Sequence, residues 1–151
     1  MLRNQINDAV KEAMRAQDKL RLSTLRLVNA AIKNADIEAR GAGRAALSDG
    51  DLLSLLQKLI KQREESADLY DKGGRAELAH QERAEIEVIR GFLPQPLSEA
   101  EAKSAIEGVI RETGAVGMKD MGKVIAALKA QYAGRLDFGK ASAIVKGMLT
   151  A

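Results

Sequence analysis

Residues 91–106 read GFLPQPLSEAEAKSAI, and the fold turns on this stretch. Pro94 and Pro96, the only two prolines in the chain, stand one residue apart and cannot continue a helix; they favour an extended path. Immediately after them, Ser98-Glu99-Ala100-Glu101 has the pattern of a capping box, in which a serine hydroxyl and a glutamate three residues on satisfy the first free amides of a new helix. A helix ends, the chain runs extended, and another helix starts. This predicts a helical lobe over 1–93, a proline-containing linker over 94–97 and a second helical lobe over 98–151.

Working back from the prolines, Leu2, Ile6, Ala9, Val10 and Ala13 recur at helical spacing and predict a first helix to about Ala16. Asp18 can cap a second, running to about Arg40 with Leu25, Val28, Ile32 and Ala35 as its apolar stripe and Gly41 and Gly43 at its end. Ser48 with Asp51 opens a third, which turns Leu52, Leu55, Leu56, Leu59, Ile60, Ala67 and Tyr70 inward before Gly73 and Gly74. A fourth runs from about Arg75 to Gly91 with Leu78, Ile86 and Ile89 inward. Beyond the prolines, the fifth helix carries Ala102, Ile106, Val109 and Ile110 and breaks at Gly114 and Gly117. The sixth spans about Met121 to Tyr132 and closes at Gly134. The seventh runs from about Phe138 to Leu149 with Ala141, Ile144, Val145 and Met148 inward. No segment alternates apolar and polar residues with a period of two, so no strand is expected. The expected fold is all-α: an N-terminal antiparallel four-helix bundle and a small C-terminal three-helix lobe, the latter small enough to want docking or a partner.

Composition narrows the chemistry. Of the 151 residues, 46% are hydrophobic and only 3% aromatic (Tyr70, Phe92, Tyr132 and Phe138), so the core must be aliphatic. There is no cysteine, which removes disulfides, thiolate metal sites and thiol catalysis. No apolar run approaches the roughly 20 residues that span a bilayer, and the mixed-charge N-terminus does not read as a signal peptide, so a cytoplasmic protein without membrane attachment is expected. The only histidine is His80. Glu77-Leu-Ala-His80 has the Glu-x-x-His spacing of di-iron bundles, but those sites need two such motifs, and the segment reads as an exposed polar helix face. No nucleophile–base arrangement, phosphate-binding glycine loop or dinucleotide fingerprint occurs. The reading is a chain with no catalytic residue, no metal and no cofactor.

The net charge is a mild +3, but it is unevenly distributed. Residues 1–40 hold eight basic and five acidic side chains; residues 119–146 hold six and two. Within the second of these regions, Asp120-Met121-Gly122-Lys123 and Asp137-Phe138-Gly139-Lys140 repeat one pattern at the starts of two helices. Asp120 and Asp137, like Ser98, are expected N-caps. Their carboxylates would occupy the place a phosphate would take, so the nearby cations, not the helix amides, are the candidate anion contacts. On the second helix Arg26, Lys33 and Arg40 follow one another at seven-residue steps and share a face. With few aromatics to stack on bases, any nucleic acid would be recognised through backbone and shape.

Several stretches resemble the YqeY family, free-standing relatives of the tail of the B subunit of the tRNA-dependent amidotransferase. They are Leu25-Arg26-Leu27-Val28-Asn29-Ala30-Ala31-Ile32-Lys33-Asn34, Ile60-Lys61-Gln62-Arg63, Gly74-Arg75, Ala84-Glu85-Ile86-Glu87-Val88-Ile89 with Phe92-Leu93-Pro94, and Met118-Lys119-Asp120-Met121-Gly122-Lys123-Val124. They cover nearly the whole chain in order. One departure is Phe138, inserted where many relatives are expected to have Asp-Gly-Lys. The resemblance implies a two-lobed helical fold and a link to tRNA, which the amidotransferase tail helps to hold while other domains convert Glu-tRNA(Gln) or Asp-tRNA(Asn) to the amide. Those catalytic parts have no counterpart here. A label of carbon–nitrogen ligase with glutamine as amide donor therefore describes the relatives. The expected function is a non-catalytic adaptor for tRNA or another structured RNA, through Lys119, Lys123, Arg135 and Lys140, with Arg26 and Lys33 as a second contact surface. The alternatives are an accessory factor of a glutamine-dependent amidotransferase and a helical protein-interaction module with no RNA role.

Overall fold

The protein is described by a computed structural model over Met1–Thr150. It contains seven α-helices: α1 (Leu2–Ala16), α2 (Lys19–Gly41), α3 (Asp49–Lys72), α4 (Ala76–Arg90), α5 (Glu99–Thr113), α6 (Met121–Tyr132) and α7 (Phe138–Thr150). A 3-10 turn, Met118–Asp120, precedes α6, and there is no strand among the described residues. The chain is all-α. It divides into two compact units, Met1–Leu93 and the chain from Pro94 onward.

Helix ends follow the local chemistry. Ser48 and Ser98 each accept from the amide three residues on, while Asp51 and Glu101 accept from the serine amides, giving capping boxes at α3 and α5. Asp18 accepts from the Arg21 amide at the start of α2. At the end of α3, Gly74 adopts φ +74° while the Arg75 amide reaches back to the Tyr70 carbonyl, a left-handed turn that glycine enters without steric cost. At the end of α1 the same role falls to Gln17, with φ 55°, the one described non-glycine residue with positive φ.

In the first unit, Leu2, Ile6, Val28, Ile32, Leu52, Leu56, Ile60, Ile86 and Ile89 from all four helices form one core. Ala9, Ala13 and Leu25 form a second cluster against Val88 and Phe92. Each fully buried Leu or Ile contributes about 1.5–3 kcal/mol relative to exposure. α1 packs along α2, and α3 most extensively along α4. Two ion pairs fix these pairings. Arg3 on α1 grips Asp36 on α2 with both terminal guanidinium nitrogens, at 2.8 and 2.7 Å. Arg63 on α3 donates to Glu85 on α4 at 3.2 Å and to the Leu59 carbonyl at 3.2 Å.

The second unit is held by Ile106, Val109, Val124, Leu128, Leu136, Ala141 and Val145. The segment 94–97, expected as an extended linker, is tied into this unit: the Leu97 amide donates to the Arg135 carbonyl at 3.0 Å, and Arg135 Nε donates to the Gln95 carbonyl at 3.0 Å. Two inward assignments are corrected by helix register. Leu78 is 37% exposed because Ala79 takes the core position beside it, and Ile144 is 37% exposed because Val145 does.

Candidate functional site

The three expected caps differ. Ser98 accepts from the Glu101 amide at 3.1 Å, and Glu101 accepts from the Ser98 amide at 3.0 Å; that second bond holds the Glu101 carboxyl below its usual range. Asp137 Oδ1 accepts from the Gly139 and Lys140 amides at 2.9 and 3.2 Å. A Cβ at Gly139 would lie 3.2 Å from that carboxylate, so a bare glycine suits the cap. Asp120 stands at the N-cap position of α6 without capping it through its side chain. It closes the 3-10 turn with φ −94° and ψ 0°, and from there its Oδ2 reaches back to the Val116 amide at 3.0 Å. That amide, then the Gly117 amide, then Lys119 and Lys123 hold its carboxyl below the aspartate range against a partial burial that opposes them. Gly122 faces open space. The repeated Asp-apolar-Gly-Lys motif therefore has two different structures.

Lys119 and Lys123 are exposed and flank Asp120 at the start of α6. Arg135 lies in the turn between α6 and α7, and Lys140 is exposed on the first turn of α7. The 3-10 turn packs against α7 as well as α6, so α7 folds back along α6. Along α6 the nine steps from Lys123 to Tyr132, at about 1.5 Å each, leave roughly 14 Å between Lys123 and the turn that carries Arg135. The two pairs therefore lie toward opposite ends of α6. Lys129 belongs to the second end: its ammonium stands 5.9 Å from the centre of the Phe138 ring. Arg135 is only partly available, because its Nε holds the Gln95 carbonyl.

In the first unit, Arg26 and Lys33 are both exposed along the α1–α2 pair. Arg26 lies 3.7 Å from the Met14 sulfur. Lys33 shares a shallow pocket with Arg3, Asn7, Asn29, Ile32 and Asp36. Asp36 is no free counter-ion: Arg3 holds its carboxyl below the ordinary range, and the Leu47 amide adds to the effect.

Ion pairing divides the cations into two classes. Among the described residues the ion pairs fall on the N-terminal amine, Arg3, Arg63, Arg83 and Arg90. The α3–α4 arginines are answered by Glu85, Asp68, Asp71, Glu64 and Glu87. Among the described residues no carboxylate lies within ion-pair distance of Arg26, Lys33, Lys119, Lys123, Arg135 or Lys140. No group of three or more His, Asp and Glu among the described residues could hold a metal ion; Glu77 and His80 are both exposed. No described helix is long and apolar enough to cross a membrane.

A family model described as "Yqey-like protein" matches residues 3–149. The chain is 38% identical over 105 residues to a protein of Lachancea thermotolerans named "Altered inheritance of mitochondria protein 41, mitochondrial", a match covering 68% of this chain and 54% of that protein. A protein of the same name from Pyrenophora tritici-repentis is 31% identical over 128 residues, covering 81% and 68% respectively. The Vanderwaltozyma polyspora protein of that name is 30% identical over 119 residues, covering 74% and 62%. The chain thus spans between about half and two thirds of the length of these relatives.

Proposed function

This chain belongs to the YqeY-like family, and from that premise we propose that it is a non-catalytic adaptor whose second unit binds tRNA or another structured RNA. One observation carries the reading. Among the described residues Lys119, Lys123, Lys129 and Lys140 of the α6–α7 hairpin are exposed and none is in an ion pair, Asp120 acting on Lys119 and Lys123 only at longer range, whereas the arginines of α3–α4 are matched with acids. A cation without a protein counter-ion gains by replacing the counter-ions condensed on a polyanion, and their release drives binding. Cations spread over roughly 14 Å of α6 suit phosphates along a folded backbone better than one small anion. The aromatics near them, Tyr132 and Phe138, are half-buried in the core of their unit, so recognition rests on charge and shape rather than stacking.

The resemblance to the amidotransferase tail makes tRNA the first RNA to test; an accessory role beside such an enzyme is a separate alternative, tested by adding the chain to a purified amidotransferase and measuring the transamidation rate. Such work belongs to an aqueous compartment that holds tRNA: the cytoplasm expected from the sequence, or the mitochondrion in the names of the relatives.

The test is tRNA affinity of the full chain against the double variant Lys119→Glu, Lys123→Glu. Both residues are exposed and outside the core, so the fold should persist. Affinity should fall at least tenfold, and the log–log salt slope should shrink by about 1.4–1.8, the loss of two phosphate contacts. Unchanged affinity and slope would reject the reading.

A further inference from the structure

We propose that the solvent-facing side of α2 is a docking seam for an acidic amphipathic helix of another protein. α2 buries Thr24, Leu25, Val28, Ile32 and Ala39. At 100° per residue the opposite side is formed by two rows: Leu20, Leu27 and Asn34, and Ser23, Ala30 and Ile37. All six are exposed, with Leu27 at 53% and Ile37 at 56%. Each row advances by seven residues, the repeat by which one helix presents a seam to another. A single exposed leucine means little. A register of six positions, bounded on one edge by a continuous row of charge, means more.

That edge is Lys19, Arg26, Lys33 and Arg40, again seven residues apart, all exposed and, among the described residues, none in an ion pair. At its N-terminal end Lys19, Leu22, Ser23, Arg26 and Leu27 line a shallow and largely apolar pocket. In helix pairs, charges at such flanking positions choose the partner and its direction, and a polar residue within a seam row fixes register; Asn34 stands at that place.

Charge decides the occupant. Two copies of this helix lying antiparallel would set one cation row against the other. Lying parallel, they would set it against Thr24, Ala31 and Glu38, one carboxylate for four cations. A helix with carboxylates at the facing positions and aliphatic residues between them satisfies both the charge and the apolar rows. RNA would use the cations but gains nothing from Leu27 and Ile37. From Lys19 to Arg40 the seam runs about 32 Å, three heptads of partner helix.

The probe is a labelled three-heptad peptide with leucine at its seam positions and glutamate at its flanking positions, titrated into the full chain by fluorescence anisotropy. Its counterpart with lysine in place of glutamate is the control. The glutamate peptide should bind and the lysine peptide should not. Leu27→Asp with Ile37→Asp should weaken binding at least tenfold with helicity by circular dichroism unchanged. Arg26→Glu with Lys33→Glu should weaken it similarly and admit the lysine peptide. Lys119→Glu with Lys123→Glu should leave peptide binding intact, which separates this result from the RNA reading. The proposal is overturned if the glutamate peptide fails to bind, or binds equally after the Leu27 and Ile37 changes. It is also overturned if the α2 charge reversals abolish tRNA binding while the seam changes affect neither ligand.

Discussion

Replacing Glu85 by leucine is the sharpest test of how the first unit holds together. Arg63 and Glu85 are largely enclosed between α3 and α4, with side-chain exposures of 14% and 10%. Without the carboxylate, Arg63 keeps the Leu59 carbonyl, the longer-range attraction of Glu82 and the water that can reach it. Leaving one member of an enclosed pair alone costs about 3 kcal/mol, the low end of the range for buried pairs, because some solvent remains. With a urea dependence of about 1.5 kcal/mol/M, the unfolding midpoint should drop by about 2 M. The double variant Arg63→Met, Glu85→Leu removes both charges and should return to within about 1 kcal/mol of the parent. The chain has two tyrosines and no tryptophan, so a Tyr132→Phe background leaves Tyr70 on α3 as the only fluorescent reporter. A single variant costing less than about 0.5 kcal/mol, or a double variant as unstable as the sum of its singles, would refute this account of the pair.

Three further outcomes follow. Leu128→Ala should cost about 2–5 kcal/mol, enough to unfold a unit with so small a core; a protein that keeps native amide protection in α5–α7 would contradict it. Gln17→Gly should raise the stability of the first unit by about 0.5–1 kcal/mol, since glycine takes φ 55° without the strain glutamine bears, and calorimetry reads it directly. The carboxyls of Asp36, Asp71, Glu101 and Asp120 are all lowered on folding, so their contribution is present above the ordinary carboxylate range and is lost as pH falls through the lowered values. Glu82 runs the other way: raised by burial and then by Glu85, it favours the fold at low pH and loses that contribution as pH rises through its raised value. Urea midpoints should therefore fall steeply on the acid side, and Asp36→Asn should flatten that fall.

The helices were legible because their ends are local events. Ser48 with Asp51, Ser98 with Glu101, and the glycines after α3 and α5 each act within a few residues of chain. Core assignment followed wherever one apolar row was unambiguous, as at Leu52, Leu56 and Ile60. It slipped where two apolar residues sat side by side and packing chose between them, as at Leu78 and Ala79. Leu136 was missed because it lies between helices, where periodicity says nothing, yet it is buried in the second core. The site was legible only in part. Which cations exist is written in the sequence, but which acids neutralise them depends on pairs 22 or 26 residues apart, as for Arg63–Glu85 and Arg90–Glu64. Arg135 could not be placed either, because its carbonyl partner on Gln95 is 40 residues away. Asp120 and Asp137 share a motif, and only the 3-10 turn after Gly117 makes them act differently.

The salt dependence of tRNA binding by the unaltered chain bears most directly on the adaptor reading. If Lys119, Lys123 and Lys140 each meet a phosphate, log affinity should fall against log salt with a slope of at least about −2.1 to −2.7. A slope near zero, or no measurable binding at low salt, would contradict it.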